Sequence, residues 1–124
     1  MELKLFGISH KTASLEMRES FVINDDHYSY MKNLLETKFA GEIDSIFVLS
    51  TCNRTEVYSY CRGEDSHQQF FQSIYKYLGC ELDITKNFYQ FSGIAAFKHM
   101  CSVASGIESR IIGGKEIFGQ FKKA

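Results

Sequence analysis

Apolar and polar positions alternate over residues 3–9, with Leu3 and Leu5 on one side and Lys4 and Phe6 on the other, which predicts a strand. Residues 10–24 are irregular apart from one helical turn over 15–20, with Ser14 as its cap. Asp25 or Asp26 then caps a helix with apolar positions Tyr28, Met31, Leu35 and Phe39, widened by Leu34 and ended by Gly41. The short apolar run 43–49 predicts a buried strand. Residues 55–61 alternate, with Val57, Ser59 and Cys61 on one face and Glu56, Tyr58 and Tyr60 on the other. A connection of hairpin length joins these two strands. Ser66 opens a second helix, apolar at Phe70, Phe71, Ile74, Tyr75 and Leu78 and closed by Gly79, and residues 87–91 predict a fourth strand.

The resulting order, β-α-β-β-α-β, is the split pattern of an α+β, ferredoxin-like antiparallel sheet with two helices on one face. Ser92 is read as the cap of a third helix carrying Ile94, Phe97, Met100, Cys101 and Val103. Gly106 interrupts it, and a glycine-punctuated stretch, 111–114, leads into a last helix that starts near Lys115. The chain thus divides into a ferredoxin-like sub-domain, 1–91, and a helical extension, 92–124. Nothing after Phe121 resembles a helix stop, which predicts that the natural chain continues.

Composition narrows the class. The 124 residues suit one domain, and 44% hydrophobic with 23% charged residues is globular composition. A net charge of -1 and a pI near 6.4 give no general electrostatic grip on nucleic acid or membranes. The N-terminus lacks the apolar block of a secretory signal, and no apolar run spans a bilayer, so a soluble cytoplasmic protein is expected. No repeat, low-complexity linker or G-x-G-x-x-G fingerprint is present. The four cysteines, Cys52, Cys61, Cys80 and Cys101, form no C-x-x-C pair, which argues against a disulfide scaffold or a zinc site.

The tetrad Thr51-Cys52-Asn53-Arg54 is the most informative local feature. A thiol beside a permanent cation and hydrogen-bonding side chains suits a lowered thiol pKa and nucleophilic chemistry. A hairpin turn holding an inert cysteine has the same pattern. His99 fits either a proton carrier at the edge of an apolar helix face or an ordinary boundary histidine, and His10 after the first strand is similar. His27 and His67, at helix starts, read as solvated. No His, Cys or carboxylate set has metal-ligand spacing, so no metal site is expected. Gly106, Gly113, Gly114 and Gly119 are interspersed with Ser109, Lys115, Glu116 and Gln120, a pattern of ligand approach at a helix start or of helix-turn-helix packing.

Three blocks resemble the N-terminal catalytic domain of glutamyl-tRNA reductase: GISHKTASLEMRESF (7–21), LSTCNRTEVY (49–58) and HMCSVASGIESRIIGGKEIFGQFKKA (99–124). That family converts glutamyl-tRNA and NADPH to glutamate-1-semialdehyde, opening five-carbon tetrapyrrole synthesis. The resemblance implies that Cys52 is the nucleophile that holds glutamate as a thioester and that His99 assists or orients. It implies that Thr51, Asn53 and Arg54 line the pocket, with Arg54 the partner of the substrate carboxylate, and that Ser109 and Gln120 contact substrate; Glu116 joins this substrate set as the stand-in for an acid that the family carries at position 114. The pattern is altered at one place: Gly113-Gly114-Lys115-Glu116 stands where the family reads Gly-Glu-Pro-Gln, so Gly114 and Lys115 match weakly and an acid is missing at Gly114.

The resemblance also implies an NADPH domain and a helical dimerisation domain beyond this chain, a homodimer, and a downstream aminomutase as partner. The chain alone would then be a monomer limited to thioester formation and hydrolysis. The contrasting reading is a non-catalytic ferredoxin-like module that binds an RNA end or a partner protein, and a third is a standalone thiol hydrolase.

Overall fold

The computed structural model describes residues 1–51, 53–79, 85–104 and 109–113. Strands β1 (Glu2–Ser9), β2 (Ile43–Ser50) and β3 (Arg54–Cys61) appear where the sequence predicts them, β4 (Tyr89–Ser92) starts two residues later than expected, and a fifth, β5 (Ser109–Gly113), completes a sheet of order β4-β1-β3-β2-β5. Every pairing is antiparallel. A short helix, α1 (Leu15–Ser20), and α2 (Asp25–Glu36) connect β1 to β2, and α3 (Glu64–Tyr77) connects β3 toward β4. The first four strands with α2 and α3 make the expected ferredoxin-like arrangement.

Both faces of the sheet are covered, and the apolar run of β2 reflects burial on both sides. On one face Phe6, Ile8, Ile46, Val48, Val57 and Cys61 pack with Met31 and Leu35 of α2 and Phe70, Phe71 and Ile74 of α3. On the other, Leu5, Phe47, Leu49 and Tyr58 pack against Ala96 and Met100 of α4 (Ile94–Ala104). The sequence thus placed two helices correctly on one face, and a third closes the opposite one.

Local chemistry sets the element ends. The Ser14 hydroxyl accepts the Met17 N–H at 3.3 Å, capping α1 as expected. Asn24, not Asp25 or Asp26, caps α2: its Oδ1 accepts the N–H groups of Asp26 (3.0 Å) and His27 (3.3 Å), while His27 Nδ1 accepts the Asn24 N–H at 3.0 Å. His27 therefore completes a capping box. The solvated reading of His67 is also corrected, since it is 1% exposed with Nδ1 3.1 Å from Ser59 Oγ.

Ser92 does not cap α4. It closes β4, and its hydroxyl accepts from Lys4 Nζ at 3.0 Å. The reversal from β4 into α4 takes one residue, Gly93, whose φ of 61° lies in the left-handed region that glycine tolerates. Its N–H donates to the Leu3 carbonyl at 2.7 Å, which ties the start of α4 to β1.

The expected helical character of residues 92–124 is corrected at 109–113, which form β5. Two β-branched residues, Ile111 and Ile112, pair opposite Phe47 and Ile46 and cover an edge of β2 that would otherwise be open. The last helix expected from Lys115 lies outside the described residues, as do Cys52 and Cys80. Among the described residues no helix is long and apolar enough to cross a membrane.

Candidate functional site

Thr51 and Asn53 lie between β2 and β3, Arg54 opens β3, and these three residues of the tetrad are firmly held. The Thr51 N–H donates to the Arg54 carbonyl at 2.8 Å, and Thr51 Oγ1 accepts the N–H groups of Asn53 (3.2 Å) and Arg54 (3.3 Å). The Asn53 carbonyl in turn accepts the His10 N–H at 2.8 Å, linking this turn to the one that follows β1. The Thr51 hydroxyl, read from sequence as a pocket group, is thus an acceptor that shapes the turn. Cys52 itself lies outside the described residues.

Beyond the turn, Arg54, Glu56 and Tyr58 alternate onto one face of β3, the face covered by α4. Glu56 is fully buried, and three donors and the His99 ring converge on its carboxylate. Tyr58 OH donates to Oε1 at 2.8 Å. Oε2 receives Arg54 Nη1 at 3.2 Å and the Tyr89 hydroxyl, and lies 2.6 Å from His99 Nε2. The His99 ring sits between Phe91 and Tyr89, with centroids 5.1 and 5.3 Å away. A buried carboxylate is tolerated only when its lone pairs are met by donors of this kind. Arg54 and His99 keep contact with solvent, their side chains being 16% and 24% exposed, so the cluster opens outward on one side.

Register explains how these groups meet. Tyr89, Gly7, Glu56, Leu49 and Ser109 form one row across all five strands. Gly7, between Glu56 and Tyr89, carries no side chain, and the two bond across it. A Cβ at Gly7 would lie 2.8 Å from both Glu56 Cγ and the Thr55 carbonyl oxygen. The same row brings the Ser109 backbone, from the far end of the chain, to the edge of the sheet nearest the turn.

Of the residues singled out from sequence, Arg54 and His99 are joined through Glu56, with Thr51 and Asn53 in the adjoining turn. Gly114, Lys115, Glu116 and Gln120 lie outside the described residues. Glu56, Tyr58 and Tyr89 were not singled out, although an acid between Arg54 and Tyr58 on one face of a strand in an apolar sheet was a readable signal. Among the described residues no group of three His, Cys, Asp or Glu side chains is arranged to hold a metal ion.

Burial, reinforced by the charge of Glu56, pushes the ionisation of Tyr58 and Tyr89 well above the ordinary phenol range, against a smaller downward pull from Arg54. Both hydroxyls therefore remain donors. The folded chain retains these protons where the unfolded chain, with phenols near 10, releases them. Stability from this source is complete below the unfolded value and is lost as pH rises above it, by up to about 1.4 kcal/mol per pH unit for each phenol. Urea midpoints are accordingly expected to fall between about pH 10 and 12. The fall should be shallower for Tyr58→Phe, and an identical slope in that variant would show that Tyr58 does not contribute.

Comparison with known proteins bears on these groups. Residues 6–124 match the sequence model of the family described as glutamyl-tRNA(Glu) reductase, N-terminal domain. A glutamyl-tRNA reductase of Akkermansia muciniphila is 35% identical, with 100% of this chain aligned to 36% of its length. One from Shewanella sp. strain MR-7 is 37% identical, aligned over 100% of this chain and 29% of its own. Among solved structures, glutamyl-tRNA reductase from Methanopyrus kandleri superposes with a TM-score of 0.61 at 28% identity, covering 98% of this chain and 26% of that one. The chain spans about a third of the length of the curated relatives it matches, between 28% and 36% for those of Akkermansia and Prochlorococcus marinus.

Proposed function

The chain belongs to the glutamyl-tRNA reductase N-terminal domain family, and we propose that it carries the thioester-forming half of glutamyl-tRNA reduction in tetrapyrrole synthesis. The observation that supports this reading is the convergence of His99 and Arg54 on buried Glu56, directly beside the turn whose sequence contains Cys52. A nucleophilic thiol needs a base and a nearby cation, and His99 and Arg54 are side chains of those kinds held on one carboxylate.

In this reading the Cys52 thiolate attacks the ester carbonyl carbon of glutamyl-tRNA. A carbon–sulfur bond forms and the bond to the terminal ribose oxygen breaks. His99 takes the thiol proton and returns it to the departing ribose hydroxyl, so that the products are an S-glutamyl enzyme and free tRNA. Arg54 has one nitrogen on Glu56 and further N–H donors on the same guanidinium, which suit the side-chain carboxylate of glutamate. Ser109, Glu116 and Gln120 are the proposed further substrate contacts, with Asn53 and Thr51 shaping the turn.

Reduction of the thioester would draw on NADPH held outside these residues. None of the described strands leads through a glycine-rich turn into a helix in the manner of a dinucleotide site, and the sheet is antiparallel throughout. A homodimer, a downstream aminomutase that accepts the aldehyde, and a cytoplasmic location complete the proposal.

The test is intact-mass analysis after brief mixing with glutamyl-tRNA and acid quench. One glutamyl adduct is expected on the wild type and none on Cys52→Ser. An equal adduct on both chains would remove Cys52 from its role. Binding of glutamyl-tRNA with neither adduct nor hydrolysis would favour the non-catalytic RNA-end module instead.

A further inference from the structure

Glu56 was not among the candidate residues of the sequence, yet Arg54, Tyr58, Tyr89 and His99 all meet on its carboxylate. Two properties of this cluster decide what the imidazole can do. First, the neighbours of Glu56 are donors: Arg54 has no acceptor, and the Tyr58 and Tyr89 hydroxyls each direct their single hydrogen at the carboxylate. Second, Oε2, the oxygen 2.6 Å from His99 Nε2, also faces the Arg54 guanidinium and the Tyr89 hydroxyl hydrogen, which hold it as an ionised acceptor and disfavour a proton of its own. The hydrogen between Nε2 and Oε2 therefore belongs to the imidazole.

We propose that Glu56 is a positioning residue for His99: its carboxylate fixes the neutral imidazole as the Nε2–H tautomer and leaves Nδ1 as the nitrogen that accepts and returns a proton. A histidine with one nitrogen held by a buried carboxylate has its ring plane and tautomer set before substrate arrives, and the same carboxylate stabilises the imidazolium formed during transfer. The side chains packed around the ring are consistent with this constraint. Phe91 and Tyr89 flank it, and α4 is tied back to β1 through Gly93. Gly7 supplies the gap through which the Glu56 side chain meets Tyr89.

The catalytic consequence rests on the thioester reading above, whereas the tautomer itself does not, and the two are separable by experiment. The first arm is a two-bond proton–nitrogen spectrum of the labelled wild-type chain at about pH 9, above the ordinary histidine range near 6.5. The His99 signal, assigned by its loss in His99→Asn, is expected to show a protonated Nε2 and an unprotonated Nδ1. The opposite pattern overturns the proposal. Tyr89→Phe, which removes one donor from Glu56 but keeps the His99 contact, should retain the Nε2–H pattern, and a switch there also counts against it.

The second arm is the rate of glutamyl adduct formation. Glu56→Gln is expected to slow it by roughly a hundredfold in the wild-type background, as loss of a positioned proton carrier does, and by little more in a His99→Asn background. Equal losses in both backgrounds would show that Glu56 acts independently of His99. Absence of any adduct on the wild type would defeat the Cys52 reading, while the spectrum would still decide the role of Glu56.

Discussion

Replacing Glu56 with alanine is expected to cost the chain about 3 kcal/mol of folding stability, because one partner is removed from a buried, hydrogen-bonded charge cluster. Arg54 loses its counter-charge, while the Tyr58 and Tyr89 hydroxyls and His99 Nε2 lose their acceptor in a region closed by α4. The loss is held below the upper range for buried pairs because Arg54 and His99 still reach water, at 16% and 24% side-chain exposure. Against an ordinary domain stability of about 5–15 kcal/mol, this is a large fraction. Urea unfolding followed by circular dichroism measures it. A change below about 1 kcal/mol would mean that solvent already satisfies these donors. Glu56→Gln keeps the volume and one acceptor oxygen, so it should cost less than alanine while still disturbing the proton placement on His99.

Gly7→Ala is the second large effect, also expected near 3 kcal/mol although it adds only one methyl group. Overpacking of a filled site typically costs about 1–3 kcal/mol, and this site belongs at the upper end. The new Cβ would lie 2.8 Å from the Thr55 carbonyl oxygen, 3.1 Å from Glu56 Cα and 2.8 Å from Glu56 Cγ, and backbone atoms yield less than a side-chain tip. The methyl group also enters the gap across which Tyr89 and Glu56 bond, so adduct formation should fall along with stability. A Gly7→Ala chain with a urea midpoint indistinguishable from wild type would show that β1 and β3 separate freely at this row. Glycine at position 7 thus serves close approach between strands and has no need of a left-handed conformation.

Much of the architecture was readable because it is local. Period-two alternation placed β1 and β3, three- and four-residue spacing placed α2 and α3, and the turn between β2 and β3 followed from its length. Errors arose where a short-range signal competed with a distant partner. Ser92, a good cap by type, is taken up by β4 and by Lys4. Residues 109–113, rich in glycine nearby, become a strand because β2 has an edge to fill. His67, polar and near a helix start, is drawn into the core beside Phe6, with ring centroids 5.6 Å apart.

The candidate site divides in the same way. Its chemical inventory, a thiol next to Arg54 with His99 further along, was visible in residue types and in the blocks shared with the reductases. That Glu56 and Tyr58 share one face of β3 also followed from alternation alone. Their connection to His99 did not, since 43 residues separate Glu56 from His99 and 33 separate it from Tyr89. Periodicity reports which side of an element a residue occupies, and it is silent on which element packs against that side. Whether a glutamate on a strand faces water or a histidine is decided by strand register and by the helix laid over the sheet. Here the antiparallel order β4-β1-β3, with Gly7 between its neighbours, and the return of α4 at Gly93 make that decision, because only together do they exclude water from Glu56 and supply the donors that its charge requires.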